Sequence, residues 1–149
     1  MSGLEITADQ LVLHVLGDYV LQSHWCATEK TKRSIAAAVH VVLYALPFLL
    51  LTRSPAALAF IAGTHFVIDR WRLARFVVWA KNWIGIPVVR PPAYGDDYPS
   101  DWSSVNRSWS ECKATGYDPS TPPWLAVWLL IVVDNLMHVA LNAAAIRWL

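Results

Sequence analysis

The sequence predicts an all-α fold: a four-span transmembrane helical bundle with a long cytoplasmic loop between spans three and four. Three observations predict it. The chain has four apolar runs, each close to the ~20 residues a bilayer core requires. It is 56% hydrophobic and 15% charged over 149 residues, where a soluble domain carries about 25% charge. It also holds nine tryptophans, a residue that gathers at membrane interfaces. One integral-membrane domain over residues 1–149 follows from the length.

The first span is read at about 7–27, "TADQLVLHVLGDYVLQSHWCA", with Thr7 or Asp9 as its cap. The preceding residues lack a basic stretch, so this run is expected to stay as a span rather than be cleaved as a signal peptide. The second is read at about 34–51, capped by Ser34 and kinked near Pro47. The third starts at Pro55, a good first-turn residue, and runs to about 80. The fourth covers 123–147. Residues 85–122 are rich in Pro, Ser, Asp and aromatics without helical period. They are expected to form an ordered cap, since so long a connector is uncommon in a compact domain.

Basic residues set the expected orientation. Lys30, Lys32 and Arg33 lie in one turn, and Arg70, Arg72, Arg75, Lys81, Arg90, Arg107 and Lys113 lie between 70 and 123. Both stretches are therefore expected to face the cytoplasm, with both termini outside an inner, multi-pass membrane location. Trp25, Trp79, Trp83 and Trp124 would mark one interface and Trp148 the other. Net charge is +1, which supplies no field for nucleic acid. Cys26 and Cys112 fit no metal-type spacing and read as free thiols.

Within the apolar runs lie His14 and Asp18, His65 and Asp69, and Asp134 and His138. Each pair is spaced i,i+4, so each shares a helix face. The order reverses in the last run. A helix running the other way must reverse its sequence to put the same groups at the same depth. At 1.5 Å per residue, Asp18, Asp69 and Asp134 fall about 15 Å from the cytoplasmic ends, and His14, His65 and His138 about 21 Å. His40 and Tyr44 add a fourth i,i+4 pair, at about 9 and 15 Å. Arg72 is i+3 from Asp69 and Gln22 is i+4 from Asp18, which extends these faces toward a basic mouth with Lys30 and Arg33 at its rim.

Ionisable groups in such runs are costly and mark function by default. Imidazole with carboxylate suits a divalent transition metal, Zn, Mn or Fe. His14, Asp18, His65, Asp69, Asp134 and His138 are the candidate metal ligands, enough for one or two ions. His40, Tyr44, Gln22 and Arg72 are candidates for acid–base work or substrate positioning. The expected function is a membrane-embedded metal-dependent hydrolase of a phosphoester or lipid-linked anionic substrate, held at the cytoplasmic mouth. One alternative is a non-enzymatic membrane protein whose His/Asp network is structural and whose cap binds a partner. Another is a proton or ion conduit. Gly17 is read as permitting close helix approach, and Asn135 and Asn142 as bonding between helices.

The stretches "HVLGDYVLQSHWCATEK", "HVVLYALPF", "HFVIDRWRLAR" and "WLLIVVDNLMHVALN" carry a resemblance. The chain resembles small integral-membrane proteins of phages and bacteria grouped as a domain of unknown function, with the motif H-x-x-x-D-[YF]-x-L-Q. The resemblance implies that His14, Asp18, Gln22, Lys30, His40, His65 and Asp69 are that family's polar set. It implies no activity. A looser likeness, in layout alone, is to inner-membrane metal-dependent hydrolases. The H-E-x-x-H, G-x-S-x-G and P-loop motifs are absent.

Overall fold

The computed structural model describes residues 4–84, 109–112, 114–118 and 121–149. These residues are helical, with no strand among them. The elements are α1 (Ala8–Val15), a π turn (Leu16–Val20), α2 (His24–Glu29), α3 (Ser34–Ala45), a 3-10 turn (Leu46–Leu50), α4 (Pro55–Trp71), α5 (Ala74–Ile84), a 3-10 turn (Trp109–Glu111) and α6 (Pro123–Trp148). They gather into two compact units, one of Met1–Leu73 with Asp134–Leu149, the other Ala74–Val133. Most of the expected 85–122 cap lies outside the described residues.

The four-span reading is corrected. Among the described residues one helix, the 26-residue α6, is long and apolar enough to cross a membrane. The multi-pass topology falls with the other three spans, and each fails for a local reason. The first run is helical for 13 residues, α1 followed by the π turn, and breaks at residues 21–23. Its π turn closes with Leu21 N–H donating to Leu16 O at 2.9 Å, and the chain restarts at α2 under a Ser23 cap. The second run is α3 plus the 3-10 turn that carries Pro47, 17 residues in all. That is about 28 Å of helix, just under a ~30 Å hydrocarbon core. The third run splits at Arg72, which adopts φ 52 and ψ 51. This left-handed residue ends α4, with Leu73 N–H donating to Ile68 O at 3.0 Å, a Schellman-type closure. Nothing in the sequence announces it, because glycine is the usual residue there.

Capping sets the ends of the first unit. Thr7 and Gln10 form a reciprocal capping box on α1, both bonds 3.3 Å. Ser54 caps α4 by accepting from Ala57 N–H, and Pro55 takes the first turn as expected. Ser34 opens α3 rather than capping it; Arg33 holds that position. The Ser34 hydroxyl accepts instead from Arg70 Nε at 3.3 Å.

The core of this unit joins Leu13, Tyr44, Phe48, Ala57, Ile61 and Ala145. α3 is its centre, packing on α4, α2 and the π turn. Gly17 makes the last contact possible. A Cβ there would meet Tyr44 Cδ2 at 2.8 Å and the Tyr44 backbone at 3.0–3.1 Å. The close approach inferred for Gly17 is therefore present, and it presses the neighbouring Asp18 into the interior. The second unit has a separate cluster of Val78, Tyr117 and Ala126, with Leu130 and Val133 packed on it. In that unit Gly116 takes φ 82 and passes against the Arg75 carbonyl.

Candidate metal centre

Three elements of the first unit converge on one point. The π turn supplies Asp18, α3 supplies His40, and α4 supplies His65 and Asp69 on one face, one turn apart. All four are buried. A π turn inside a helix widens it locally and often marks a functional site; here it aims Asp18 at α3.

The ligand-type atoms form a compact tetrahedron. His40 Nε2 lies 3.0 Å from His65 Nε2, 3.2 Å from Asp18 Oδ1 and 3.2 Å from Asp69 Oδ2. His65 Nε2 lies 3.0 Å from Asp69 Oδ2 and 3.7 Å from Asp18 Oδ1. A tetrahedral ion with bonds of ~2.0 Å needs ligand separations of about 3.3 Å. These five edges straddle that value. Asp69 Oδ2 is buried without a hydrogen-bond partner among the described residues, as is His138 Nε2. Buried polar atoms are normally satisfied; Asp69 Oδ2 is served by ionic contacts, the Lys30 ammonium at 2.8 Å and His65 Nε2 at 3.0 Å, so the fit to an ion rests on the donor set and its edges. The outward nitrogens, Nδ1 of His40 and His65, are also buried without a partner there. Imidazole ligands backed by a hydrogen-bond acceptor bind roughly 10–100-fold tighter, so this centre lacks one source of affinity.

A second group shares Asp18 and adds Asp134 and His138 from α6. His138 Nε2 lies 3.5 Å from Asp134 Oδ2 and 3.5 Å from Asp69 Oδ1. The two oxygens of Asp69 thus face different histidines. Asp134 is the most open of these groups, its side chain 28% exposed.

Residues 6–85 match the family described as "Protein of unknown function (DUF3307)". The chain belongs to the DUF3307 family. No curated protein and no solved structure matches it. The four-residue group of this DUF3307 chain lies wholly inside the matched segment, whereas Asp134 and His138 lie beyond it.

Lys30 is the group that sequence reasoning misplaced. The depth count puts it at the rim, but its ammonium donates to Asp18 Oδ1 at 3.4 Å and lies 3.3 Å from His40 Nε2. It also forms an ion pair with Asp69 Oδ2 at 2.8 Å. Burial alone would raise the Asp18 carboxyl, but the bond to His40 and the charge of Lys30 outweigh it and hold Asp18 at about 2. Burial likewise opposes the Lys30 charge, and Asp69 and Asp18 reverse it, holding the ammonium above its ordinary value. Burial dominates at His65 and pushes it down to about 4, which keeps this imidazole neutral and able to ligate.

The other expected site residues are placed differently. His14 stands in neither group. Its Nδ1 meets the Tyr44 hydroxyl at 2.9 Å and its Nε2 the Asn135 Oδ1 at 2.6 Å. Asn142 Nδ2 donates to the same Tyr44 hydroxyl at 2.6 Å. The bonding read for both asparagines is present. Tyr44 stacks on His65, with ring centroids 3.6 Å apart, so it supports the histidines instead of reaching the aspartates. His40 reaches them in its place, one helical turn from the expected register. Gln22 Oε1 is buried without a partner among the described residues and belongs to neither group. Arg72 is exposed and stands outside both.

Proposed function

We propose that this chain is a membrane-associated, divalent-metal-dependent hydrolase of a phosphoester or similar anionic substrate. The observation that carries the reading is the buried tetrahedron of Asp18 Oδ1, His40 Nε2, His65 Nε2 and Asp69 Oδ2. Two carboxylates and two imidazoles form a donor set suited to Zn²⁺, Mn²⁺ or Fe²⁺. A second ion would be held by Asp134 and His138, with Asp18 common to both. Four protein ligands fill a tetrahedral ion, so polarising a phosphoryl oxygen and activating water would fall to the second ion, whose three protein ligands leave a position open. The protein's part is to fix the ligands, through the π turn at Asp18 and the Tyr44 stack on His65, and to leave the Asp134 side open to substrate.

Membrane association is supported by α6, of whose most apolar stretch only 17% is buried. It is also supported by an outward apolar stripe on α3 and the turn after it, formed by Ile35, Val39, Val42, Leu46 and Leu50. Exposed apolar patches of this extent mark interaction surfaces.

The test is hydrolysis of bis(p-nitrophenyl) phosphate and p-nitrophenyl phosphate by protein loaded with Zn²⁺ or Mn²⁺. Turnover is expected with the ion and none after chelation. Asp18→Asn should lower it at least ~100-fold, since a lost ligand costs more than a lost supporting hydrogen bond. No turnover of either ester by ion-loaded protein would contradict the hydrolase reading. A second reading, a metal-free ion-paired core, is favoured by the 2.8 Å contact of Lys30 with Asp69. In that case chelator and added ion both leave stability unchanged.

A further inference from the structure

The position of Lys30 has a geometric consequence. Three of the four ligand atoms, Asp18 Oδ1, His40 Nε2 and Asp69 Oδ2, form one triangular face. The Lys30 ammonium lies 3.4, 3.3 and 2.8 Å from them. The apex on one side of that face is taken by His65 Nε2, which is 3.0 Å from both His40 Nε2 and Asp69 Oδ2. The ammonium therefore caps the opposite side. An ion at the ~2.0 Å bond length from all four ligands would sit about 3 Å from that nitrogen. Two cations at that distance, in a buried site where charges are weakly screened, repel strongly.

We infer that Lys30 holds the place of the metal in the metal-free protein and is expelled when a divalent ion binds. This rests on the metal reading above. The ammonium compensates Asp18 and Asp69, whose charges would otherwise face each other buried. The Lys30 backbone is well placed for such a swing. It ends α2 at the surface, with its N–H donating to Cys26 O at 2.9 Å. The next residue is pinned by Arg70 Nη1, which donates to Thr31 O at 2.7 Å. Only the four-carbon side chain has to move. Once out, the ammonium joins Lys32 and Arg33 in the same turn, where an anionic substrate oxygen meets it. Metal loading then uncovers a substrate-binding cation, and the unloaded protein stays folded.

The experiment is a calorimetric titration of Zn²⁺ and Mn²⁺ alone into wild type and Lys30→Met. It is paired with amine labelling of wild-type Lys30 by acetic anhydride, read by mass spectrometry, with and without the ion. Lys30→Met is expected to bind the ion at least 10-fold more tightly, because the competing cation is gone. Labelling of Lys30 is expected to rise severalfold on ion addition, and this arm does not depend on the variant folding. Binding by wild type with no gain in Lys30→Met, or with Lys30 labelling unchanged by the ion, overturns the exchange while leaving the metal reading intact. Absence of ion binding in both proteins overturns both. Binding by Lys30→Met alone makes Lys30 a fixed occupant that the ion does not expel, and overturns the exchange.

Discussion

Asp69→Asn is expected to abolish tight divalent-metal binding and to lower the stability of the metal-free protein by about 3 kcal/mol. Asp69 is the most connected group of the centre. Oδ2 lies within 3.2 Å of Lys30, His40 and His65, and Oδ1 faces His138. Its side chain is 3% exposed. An amide keeps the shape but removes the charge and one ligand lone-pair site. The Lys30 ammonium then keeps only the longer contact with Asp18, and an incompletely paired buried charge is expensive. The same deletion leaves three donors for the ion where four stood. Calorimetric titration with Zn²⁺ and urea unfolding check the two effects. Glu5→Gln, at an exposed position outside the site, should change neither. Wild-type affinity in Asp69→Asn would remove Asp69 from the ligand set.

Tyr44→Phe is expected to separate support from chemistry. The hydroxyl accepts from Asn142 Nδ2 and pairs with His14 Nδ1, and the residue is wholly buried. Removing the hydroxyl leaves two buried polar atoms short of a partner, at about 2 kcal/mol. The ring remains to stack on His65. Metal affinity should therefore stay within roughly threefold of wild type, a free-energy change under about 1 kcal/mol. Burial pushes the Tyr44 phenol above its ordinary value, which makes it a poor proton donor near neutrality. Unfolding and titration run in parallel decide the matter. Unchanged stability with lost turnover would instead make the hydroxyl a group that touches substrate.

The residues of the candidate metal groups are more legible in the sequence than the fold is. The i,i+4 spacing of His65 with Asp69 and of Asp134 with His138 placed each pair on one face, and the structure keeps both. The reversed order in the last run was read as a match in depth. Asp134 and His138 do join Asp18 in one group. The first pair behaves otherwise because the π turn starts after His14 and carries Asp18. It rotates one inward to α3 and α4 and leaves the other to Tyr44 and Asn135. A π turn has no composition of its own, so periodicity cannot find it. Lys30 was misplaced because depth counting follows a single helix, whereas Lys30 folds back from a turn between two. The spans were over-read for a related reason. Hydropathy measures how apolar a run is, not whether its backbone continues, and Arg72 ends α4 in a left-handed conformation that its side chain does not advertise.

The most direct test is anomalous diffraction from crystals grown with Zn²⁺ or Mn²⁺, with data collected on both sides of the metal edge. An ion is predicted ~2.0–2.2 Å from Asp18 Oδ1, His40 Nε2, His65 Nε2 and Asp69 Oδ2. The Lys30 ammonium should be found withdrawn from that face. No anomalous peak within bonding distance of these four atoms, with Lys30 still against Asp69 at saturating ion, would contradict the metal centre.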